Sequence, residues 1–416
     1  MSMVRIYSCL AFLLALFCCS CSGAGKAPST EDAAVVLGDD RPDIYLPLLQ
    51  GKRVAVFSNQ SGLTSEGEHV LDVLLSKGVN VTAIFSPEHG FRGTADAGEH
   101  VNSSVDEKTG VPILSLYEEG KTGPSEESMN QFDVLVVDIQ DVGLRFYTYY
   151  ITMLELMDAC AAHDREVVLL DRPNPNGHYV DGPLLDMELR SNVGGLPIPV
   201  VHGMTLGELA QMANAEGWIG QGEWQNTAEG WKRQGAKAGA CRLTVVPCRN
   251  YSHHTFYSLT VAPSPNLPNM TAIYLYASLC FFEATEVSLG RGTDKPFQQY
   301  GHPDMKGYDY SFTPESRPGA KTPPQQDKLC YGVDLSGLSL QDLRAKRIDL
   351  SYLMDAFSNL QGNDTFFTPF FEKLMGRKDI RGQILQGRSA GEIAATWQDD
   401  VRSFMQKRKP YLLYDE

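Results

Sequence analysis

The sequence has few basic residues and no concentrated basic surface. Its 416 residues include 36 lysines and arginines against 51 aspartates and glutamates, so the formal net charge is −15. The longest basic cluster, Lys407 to Lys409, is too short to form a face that binds a phosphate backbone. We therefore predict that nucleic acid is not a partner of this protein.

The signatures of nucleotide, metal and membrane-spanning sites are also missing. No G-x-G-x-x-G joins a strand to a helix, no G-x-x-x-x-G-K-[ST] occurs, and no spacing is typical of a zinc site. After residue 21, no segment has the run of about 18 apolar residues that a transmembrane helix needs. The sequence thus predicts no nucleotide, no other cofactor, no metal and no membrane span beyond the N-terminus.

Cysteine is scarce outside the N-terminal segment. Four of the nine cysteines lie within the first 21 residues, which leaves five for the body of the chain. Five is an odd number, and Cys241 and Cys248 would lie too far apart to bridge if the apolar run between them is one straight strand. We predict that the five are buried thiols.

Residues 1–21 have the features of an export signal. Arg5 supplies a positive charge, and the apolar run at residues 10–17 is too short to span a bilayer. Ser20 and Cys21 follow, and then a stretch of small and polar residues that we interpret as a flexible linker over 22–42. This order resembles a bacterial lipoprotein signal, with Cys21 as the lipidated residue, and predicts an exported, periplasmic protein with a lipid anchor in the membrane. A plain secretory peptide is the alternative.

From residue 43, strand patterns alternate with helix patterns. The predicted strands are 52–62, 81–85, 111–118, 132–143, 165–175 and 197–203, and the predicted helices include 69–79 and 148–163. Continuous Val, Ile and Leu runs are typical of parallel strands that are buried on both faces. We therefore predict an α/β fold with a Rossmann-like, doubly wound and mostly parallel sheet.

Unusual polar residues lie at or just beyond the carboxyl ends of several of these strand runs. They are Asn59 and Gln60; Glu88, His89 and Arg92; Asp138, Gln140 and Asp141; Asp171, Arg172 and Asn174; and His202. Because the carboxyl ends of parallel strands meet at one edge of the sheet, we expect a binding site there. Any one of these residues can equally be a loop cap or, for His202, a buried structural histidine.

The composition changes near residue 262, where three prolines occur in nine residues. This change predicts a catalytic domain over 43–262 and a smaller C-terminal α+β domain over 263–416. Thr205 with Glu208, and Ser389 with Glu392, have the spacing of capping boxes, and apolar residues through Phe404 predict an amphipathic helix. Polar residues crowd the loop at Glu286 and Arg291, which either folds over the site or forms internal ion pairs.

Six motifs carry a family resemblance: SPEHGFRGTADAGE, DIQDVGLRFYTY, LDRPNPNG, VDGP, HGMTLGELA and SLGRGTDKPF. In this order they resemble the bacterial exo-β-N-acetylmuramidase family of the NamZ type. The resemblance implies a Rossmann-like domain, a smaller C-terminal domain and an active site in the cleft between them. It also implies release of N-acetylmuramic acid (MurNAc) from the non-reducing end of peptidoglycan fragments during cell-wall turnover, with Glu88 of SPEHG as the catalytic glutamate.

The residues are consistent with that chemistry. Hydrolysis of a glycoside usually needs a carboxylic acid and a second group, and Glu88 between two phenylalanines suits the acid role. The second group stays open between the substrate's own acetamido group and four carboxylates: Asp138, Asp141, Glu99 and Glu286. A muramic acid carboxylate should be met by a guanidinium, for which the candidates are Arg92, Arg145, Arg172 and Arg291. Tyr147 and Tyr149 can stack on a sugar face.

Two other classes of protein compete with this interpretation. A non-catalytic lipoprotein that binds sugars or muropeptides would use a similar two-domain chain and would need no acid at the scissile bond. An amidase or esterase would need a nucleophile elbow or a metal-spaced His/Glu set, and we identify neither.

Overall fold

Strands and helices alternate through the first half of the protein, and helices dominate its C-terminal part. The structure is a computed structural model that describes residues 34–87, 91, 104–118, 121–220 and 222–416, with the backbone alone for 117, 118, 121 and 122. Its strands are β1 (Arg53–Ser58), β2 (Asn80–Phe85), β3 (Ser104–Val105), β4 (Pro112–Leu114), β5 (Tyr117–Glu118), β6 (Lys121–Thr122), β7 (Val134–Asp138), β8 (Glu166–Leu170), β9 (Trp224–Thr227), β10 (Gly230–Arg233), β11 (Arg242–Val246), β12 (Gln299–His302), β13 (Tyr310–Phe312) and β14 (Cys330–Asp334). Its α-helices are α1 (Pro42–Leu49), α2 (Val70–Ser76), α3 (Glu126–Met129), α4 (Tyr149–Ala162), α5 (Leu206–Ala215), α6 (Met270–Leu279), α7 (Leu340–Ala345), α8 (Ser351–Asn359), α9 (Phe370–Met375), α10 (Asp379–Leu385), α11 (Ala390–Ala395) and α12 (Gln398–Arg408).

The central sheet has seven strands in the order β11-β8-β7-β1-β2-β4-β3. All neighbouring strands run parallel except β3, which pairs antiparallel with β4. The chain first builds outward from β1 through β2 and then crosses back to place β7 on the other side of β1. Ligands of such sheets bind at this switch point, beyond the carboxyl ends of the two strands. The predicted doubly wound, mostly parallel sheet is confirmed.

Both faces of the sheet are covered, which explains why its strands are apolar throughout. On β1, Val54 and Val56 face the core that contains α1 and α2, whereas Ala55 and Phe57 face a larger core. All five residues of β7 are buried. Strands that bury alternate residues in two different cores have no polar face, as expected for a parallel sheet.

The C-terminal part has its own three-stranded antiparallel sheet, in the order β12-β14-β13, surrounded by helices. This confirms a smaller α+β part. Its buried residues, such as Phe281 and Trp397, belong to the same hydrophobic core as Phe57 and Phe85 of the main sheet. Residues 35–416 accordingly form one compact unit.

The predicted strand at 197–203 is wrong. Pro197 and Pro199 have no N–H to donate, so the segment cannot make a regular ladder. It instead makes isolated bridges, in which Val201 pairs with both Leu144 and Asp181. This segment therefore connects the loops after β7 and β8 rather than extending the sheet.

Two other predicted elements divide, and the apolar run between Cys241 and Cys248 forms a strand. The run at 111–118 divides into the separate strands β4 and β5, and the run at 242–246 forms β11 at the edge of the main sheet. The predicted C-terminal helix is two helices, α11 and α12, which meet at Trp397. Trp397 is fully buried and its indole N–H donates to Asp181 Oδ1 at 2.8 Å, so tertiary packing sets this break.

Several local predictions are confirmed. Both capping boxes form, at Thr205 with Glu208 and at Ser389 with Glu392. All five body cysteines are free and buried.

Among the residues that the structure describes, no helix is long and apolar enough to cross a bilayer.

Candidate active site

The ends of β1 and β7 lie side by side, with Ser58 opposite Asp138 in the strand register. The loops beyond them are joined through Asn59, whose Oδ1 accepts from the backbone N–H of Ser61 at 2.9 Å and from its hydroxyl at 2.6 Å. The Ser61 Oγ in turn accepts from the backbone N–H of Gln140 at 3.0 Å. Asn59 and Gln140 therefore both lie at the switch point, as predicted, and both hold its backbone in place.

Asp138 forms a buried ion pair at the end of β7. Arg172, which follows β8, donates from Nε to Asp138 Oδ1 at 2.6 Å and from Nη2 to Oδ2 at 3.0 Å. The same Nη2 lies 2.6 Å from Asp39 Oδ2, and all three side chains are at most 5% exposed. Burial, followed by the Asp138 carboxylate, raises the pKa of Asp39 to about 8. The triad therefore holds an arginine between two carboxyl groups, with both oxygens of Asp138 paired and Asp39 paired through Oδ2 only.

Asp141 lies three residues beyond Asp138 and is in a different situation. Its Oδ1 accepts from the backbone N–H of Gly143 at 2.7 Å, where a positive φ of 77° suits glycine. Its Oδ2 has no hydrogen-bond partner among the described residues, although the side chain is buried. Burial raises the pKa of Asp141 to about 7. A carboxyl group with a free oxygen and a pKa near neutrality can take up or release a proton during a reaction.

Two tyrosines connect this edge to the start of the C-terminal part. The hydroxyls of Tyr147 and Tyr149 both donate to the carbonyl oxygen of Pro263, each at 2.9 Å. Gln60 Nε2 also donates to that oxygen, at 3.4 Å, and to the carbonyl of Ala262 at 3.2 Å. Because both tyrosines are buried, their rings support the loop above the switch point.

The loop after β8 is tied to the loop after β7. Gln140 Nε2 donates to the carbonyls of Asp141 and Pro173, both at 2.8 Å. Asn174 Nδ2 donates to the Met204 carbonyl at 2.8 Å, and Asn176 Nδ2 donates to the Val142 carbonyl at 2.9 Å. Gln140 and Asn176 thus hold the backbone carbonyls of Asp141 and Val142, whereas the predicted residue Asn174 holds the segment before α5.

Asp171 also follows β8, but its carboxylate caps helix α5. It accepts from Thr205 Oγ1 at 2.7 Å, Gly207 N–H at 2.8 Å and the Tyr414 hydroxyl at 2.6 Å. Burial raises its pKa to about 6, although the hydrogen bonds from Tyr414 and Thr205 lower it. The predicted site residue therefore links the sheet to the C-terminal tail.

Arg145 and His202 are fully enclosed by protein. Arg145 donates to the carbonyl oxygens of Pro183, Ile198 and Leu374 at 2.8 to 2.9 Å, and burial lowers its pKa to about 10. His202 accepts from the Met204 N–H at 3.3 Å, and burial lowers its pKa to about 3. Arg145 thus joins the two parts of the fold, and His202 is neutral at physiological pH.

Arg291 and Glu286 lie on the loop of the C-terminal part. Arg291 pairs with Glu283, with 2.5 Å between Nη2 and Oε1, and its guanidinium lies 5.0 Å from the centre of the Phe297 ring. Glu286 is exposed, and its backbone carbonyl accepts from Gln325. This loop was predicted either to fold over the site or to form internal ion pairs, and Arg291 forms an internal ion pair.

Several predicted residues lie outside the described residues. They are Cys21, Glu88, His89, Arg92 and Glu99. The residues that flank Glu88 in the described part are buried: Ser86 and Phe91 are 6% and 3% exposed, and the ring of Phe91 meets that of His69 edge-on at 5.0 Å. The described residues on both sides of the predicted catalytic glutamate are thus buried.

Sequence reasoning missed Asp39 and Tyr414. Asp39 fell within the predicted linker, yet Val36 pairs with Arg249 and Asp39 is 1% exposed, so the last linker residues take part in the fold. Tyr414 sits at the end of the chain, 243 residues from its partner Asp171. Two adjacent acids before a helix, Asp39 and Asp40, were a sequence signal that could have identified Asp39. We find no local sequence signal for Tyr414.

One exclusion made from the sequence was incorrect. Residues 387–391 read Gly-Arg-Ser-Ala-Gly and do match the G-x-S-x-G pattern of a nucleophile elbow. Ser389, however, caps helix α11 and its hydroxyl donates to Glu392 at 2.7 Å, and the preceding element is helix α10. An elbow joins a strand to a helix, so this serine is a helix cap. Among the described residues, no cluster of His, Cys, Asp and Glu is arranged to hold a metal ion.

Two family models match consecutive parts of the chain. The N-terminal model of exo-beta-N-acetylmuramidase NamZ covers residues 54–271, and the C-terminal model covers residues 274–414. The chain is 36% identical over 417 residues to the peptidoglycan beta-N-acetylmuramidase NamZ of Bacillus subtilis strain 168, with 95% of each chain covered.

Two crystal structures of DUF1343 family proteins from Bacteroides fragilis NCTC 9343 are also similar. The first is 56% identical with a TM-score of 0.82, and the match covers 92% of this chain and 100% of that one. The second is 25% identical with a TM-score of 0.74, and the match covers 92% and 99%. Both matches span the main sheet and the C-terminal part together.

Proposed function

This chain belongs to the exo-β-N-acetylmuramidase NamZ family, and on that premise we propose that it is a glycosidase that releases MurNAc from the non-reducing end of peptidoglycan fragments. The observation that carries the proposal is the extent of the similarity to the curated B. subtilis muramidase, which covers 95% of both chains. A match of that extent includes the strand ends at the switch point and the loops of the C-terminal part. A protein that only binds sugars is not favoured.

The chemistry requires two groups, and we assign Glu88 and Asp141 to them. Glu88 would protonate the leaving oxygen, as the SPEHG motif implies. Asp141 is preferred over Asp138 as the second group because Asp138 is engaged by Arg172, whereas the buried Asp141 Oδ2 has no partner among the described residues. A substrate or water would reach this oxygen only after the surrounding loops move. Glu286 is a weaker candidate because its side chain is exposed to solvent.

Arg92 is the residue that we propose for the lactyl carboxylate of MurNAc. Among the other candidate arginines, Arg172 is paired with two aspartates, Arg291 is paired with Glu283, and Arg145 donates to three carbonyls. A guanidinium that already satisfies protein groups gains little from a substrate carboxylate. Arg92 also belongs to the same motif as Glu88, which would place acid and carboxylate binder on one loop.

The direct test is incubation with a peptide-free MurNAc–GlcNAc disaccharide and chromatographic detection of free MurNAc. The wild-type protein should release MurNAc and GlcNAc in equal amounts, and the Glu88→Gln protein should release far less. Binding of the disaccharide without any release by the wild-type protein would favour the binding lipoprotein instead.

We further propose that the mature protein is exported and held at a membrane by lipid on Cys21. The support is the short apolar run followed by Ser20-Cys21 and a stretch of small polar residues. Cys21→Ala should move the protein from the membrane fraction to the soluble fraction. An unchanged distribution would show that Cys21 is not the lipidated residue.

A further inference from the structure

A groove lined by residues of both the first part of the chain and the C-terminal part carries two arginines with free hydrogen-bonding capacity. Two adjoining cavities, of about 720 and 560 Å³, share His178 and His254 in their walls. Arg347 lines the larger cavity, and Arg344 and Phe256 line the smaller one. We call the surface formed by these five residues the cationic groove.

Neither arginine of the cationic groove has a carboxylate partner among the described residues. Arg344 donates to the carbonyl of His254 and lies 5.8 Å from the centre of the Phe256 ring. Arg347 donates to the carbonyl of Val180 at 3.2 Å and lies 5.2 Å from the centre of the Tyr179 ring. Each guanidinium has five N–H donors, so both are held in place with donors to spare.

The other charged groups that line the larger cavity are already paired. Arg408 binds Glu416, and Arg402 binds Asp399. The carboxylate of Asp181 accepts from the backbone N–H groups of Gly182 and Ile348 and from the indole of Trp397. The groove therefore keeps an excess of positive charge in a chain whose net charge is −15.

His178 and Phe256 add two features that suit a sugar. His178 Nε2 lies 2.8 Å from the Arg344 carbonyl, which can only accept, so the ring proton is on Nε2. Burial, followed by Arg344 and Arg347, lowers the pKa of His178 to about 4, so the ring is neutral at physiological pH. Nδ1 is an acceptor buried in the wall of the groove with no partner among the described residues, so a sugar hydroxyl would reach it only after the surrounding side chains move. Phe256 is 50% exposed and offers a flat apolar face.

We propose that the cationic groove binds an acidic sugar further along the glycan chain, whose carboxylate pairs with Arg344 and Arg347. The inference rests on the proposed function, because a peptidoglycan glycan repeats MurNAc and so carries a second carboxylate beyond the terminal residue. Bidentate guanidinium–carboxylate pairing, a hydroxyl on His178 and a sugar face on Phe256 together describe such a residue. The carboxylate belongs either to the lactyl group of the next MurNAc or to a peptide attached to it.

The groove also lies close to the switch point along the chain. His178 follows Asn176 by two residues, and Asn176 donates to the carbonyl of Val142, the residue next to Asp141. Two residues span only about 7 Å at full extension. Asn176 therefore connects the wall of the groove to the residue next to Asp141, and the proposal requires the glycan to run over the surface between the two.

The test compares the peptide-free MurNAc–GlcNAc disaccharide with the tetrasaccharide that repeats it, in wild-type protein and an Arg344→Ala/Arg347→Ala variant. We expect the ratio of kcat/KM for tetrasaccharide over disaccharide to fall by about 10-fold in the variant, mainly through KM. Lys346→Ala is the matched control, because it removes a neighbouring cation that binds Tyr352 and Asp349 rather than the groove. The control should keep the wild-type ratio.

A third substrate identifies the source of the carboxylate. If the lactyl group is the ligand, a tetrasaccharide with peptides on its second MurNAc should lose the preference in the wild type. If the peptide is the ligand, only the peptide-bearing tetrasaccharide should show the effect of the variant. If the ratio of kcat/KM for tetrasaccharide over disaccharide is unchanged in the double variant with every substrate, the proposal that the cationic groove binds the glycan is wrong. If the wild-type protein releases no MurNAc from any substrate, the proposed function fails, and calorimetric titration of the tetrasaccharide into both proteins still decides whether the groove binds it.

Discussion

Asp138 and Asp141, three residues apart at the end of β7, are in opposite electrostatic situations. Asp138 is enclosed with Arg172, which donates to both of its oxygens. Asp141 is buried nearly as well, but one of its oxygens meets no donor in the described structure. Proteins rarely leave a buried polar atom without a partner, because each such atom costs about 1–3 kcal/mol.

Asp138 is thus a structural carboxylate, and Asp141, three residues later in the chain, is the candidate catalytic one. The Asp39–Arg172–Asp138 triad ties the predicted linker, β7 and β8 together, so removing one member should weaken the fold. Asp141 contributes an unsatisfied charge, so removing it should weaken the reaction and relieve the fold. Such opposition is typical of active sites, where function is kept at some expense of stability.

The largest expected effect extends the comparison to Glu88, which follows β2 in the sequence. Glu88→Gln keeps the shape but removes the transferable proton, so turnover of the disaccharide should fall by roughly 10²- to 10⁴-fold. A substrate with an activated phenolate leaving group needs less protonation and should lose less. The measurement is steady-state release of MurNAc and of phenol by one preparation of each protein.

A structural role for Glu88 gives a different result. Both activities would then fall together, and the melting temperature would fall with them. Disaccharide turnover near the wild-type rate in a well-folded Glu88→Gln protein would contradict the assignment, and Asp141 would be the next acid to test.

The second prediction tests the paired side of the comparison. Asp138→Asn leaves Arg172 with a partly uncompensated buried charge, so the free energy of unfolding should fall by about 3–5 kcal/mol. The matched control is Asp133→Asn, which breaks a half-exposed pair with Arg53 and should cost about 0–1 kcal/mol. Chemical denaturation of both variants measures this difference. Equal losses of unfolding free energy would show that burial of the triad adds nothing to stability.

The third prediction tests the unpaired side. Asp141→Asn should lower kcat by roughly 10²-fold, a common effect of losing an acid or base, without lowering the melting temperature at neutral pH. Folding raises the pKa of Asp141 from 3.8 to about 7, so its contribution to stability is full at low pH and is lost as the pH rises through 7. The variant should therefore gain in melting temperature over the wild type at about pH 8 and show little difference at about pH 4.

The pH dependence of the reaction gives an independent readout. A limb near pH 7 in the wild-type profile of kcat should be absent from the residual activity of Asp141→Asn. A melting temperature that falls at every pH, with no change in the shape of the kinetic profile, would make Asp141 a turn-capping residue for Gly143.

The strands of this fold could be predicted where burial alone determines the pattern. The strands β1, β7 and β8 are continuous apolar runs because both of their faces are covered, and their ends were placed to within a few residues. The segment 197–203 looked equally apolar, but its two prolines leave it as a connector with isolated bridges. The pattern of apolar residues indicates which segments are buried. It does not indicate which backbone N–H groups find a hydrogen-bond partner.

The same limit applies to the site. Asp138 ends β7 and Asp141 follows it, and the two were equally good candidates in the sequence. Which of them is paired depends on Arg172, which comes from another strand, and on Asp39, which lies in the predicted linker. These contacts are set by the order of strands in the sheet, so local sequence could locate the edge and not the pairing within it.

The smallest expected effect concerns the guanidinium that selects the substrate. Arg92→Ala should lower kcat/KM for MurNAc–GlcNAc by about 10-fold or more, because a desolvated pair with the lactyl carboxylate is lost. Activity on the matching substrate with terminal GlcNAc, which has no lactyl group, should change little. Arg172 is the internal comparison, because its guanidinium is bound to Asp39 and Asp138 and its loss should lower both activities together through the fold. Equal losses on both sugars in a stable Arg92→Ala protein would show that Arg92 does not bind the lactyl group. Arg291 would then be the next candidate, and a substrate carboxylate would have to displace its pairing with Glu283.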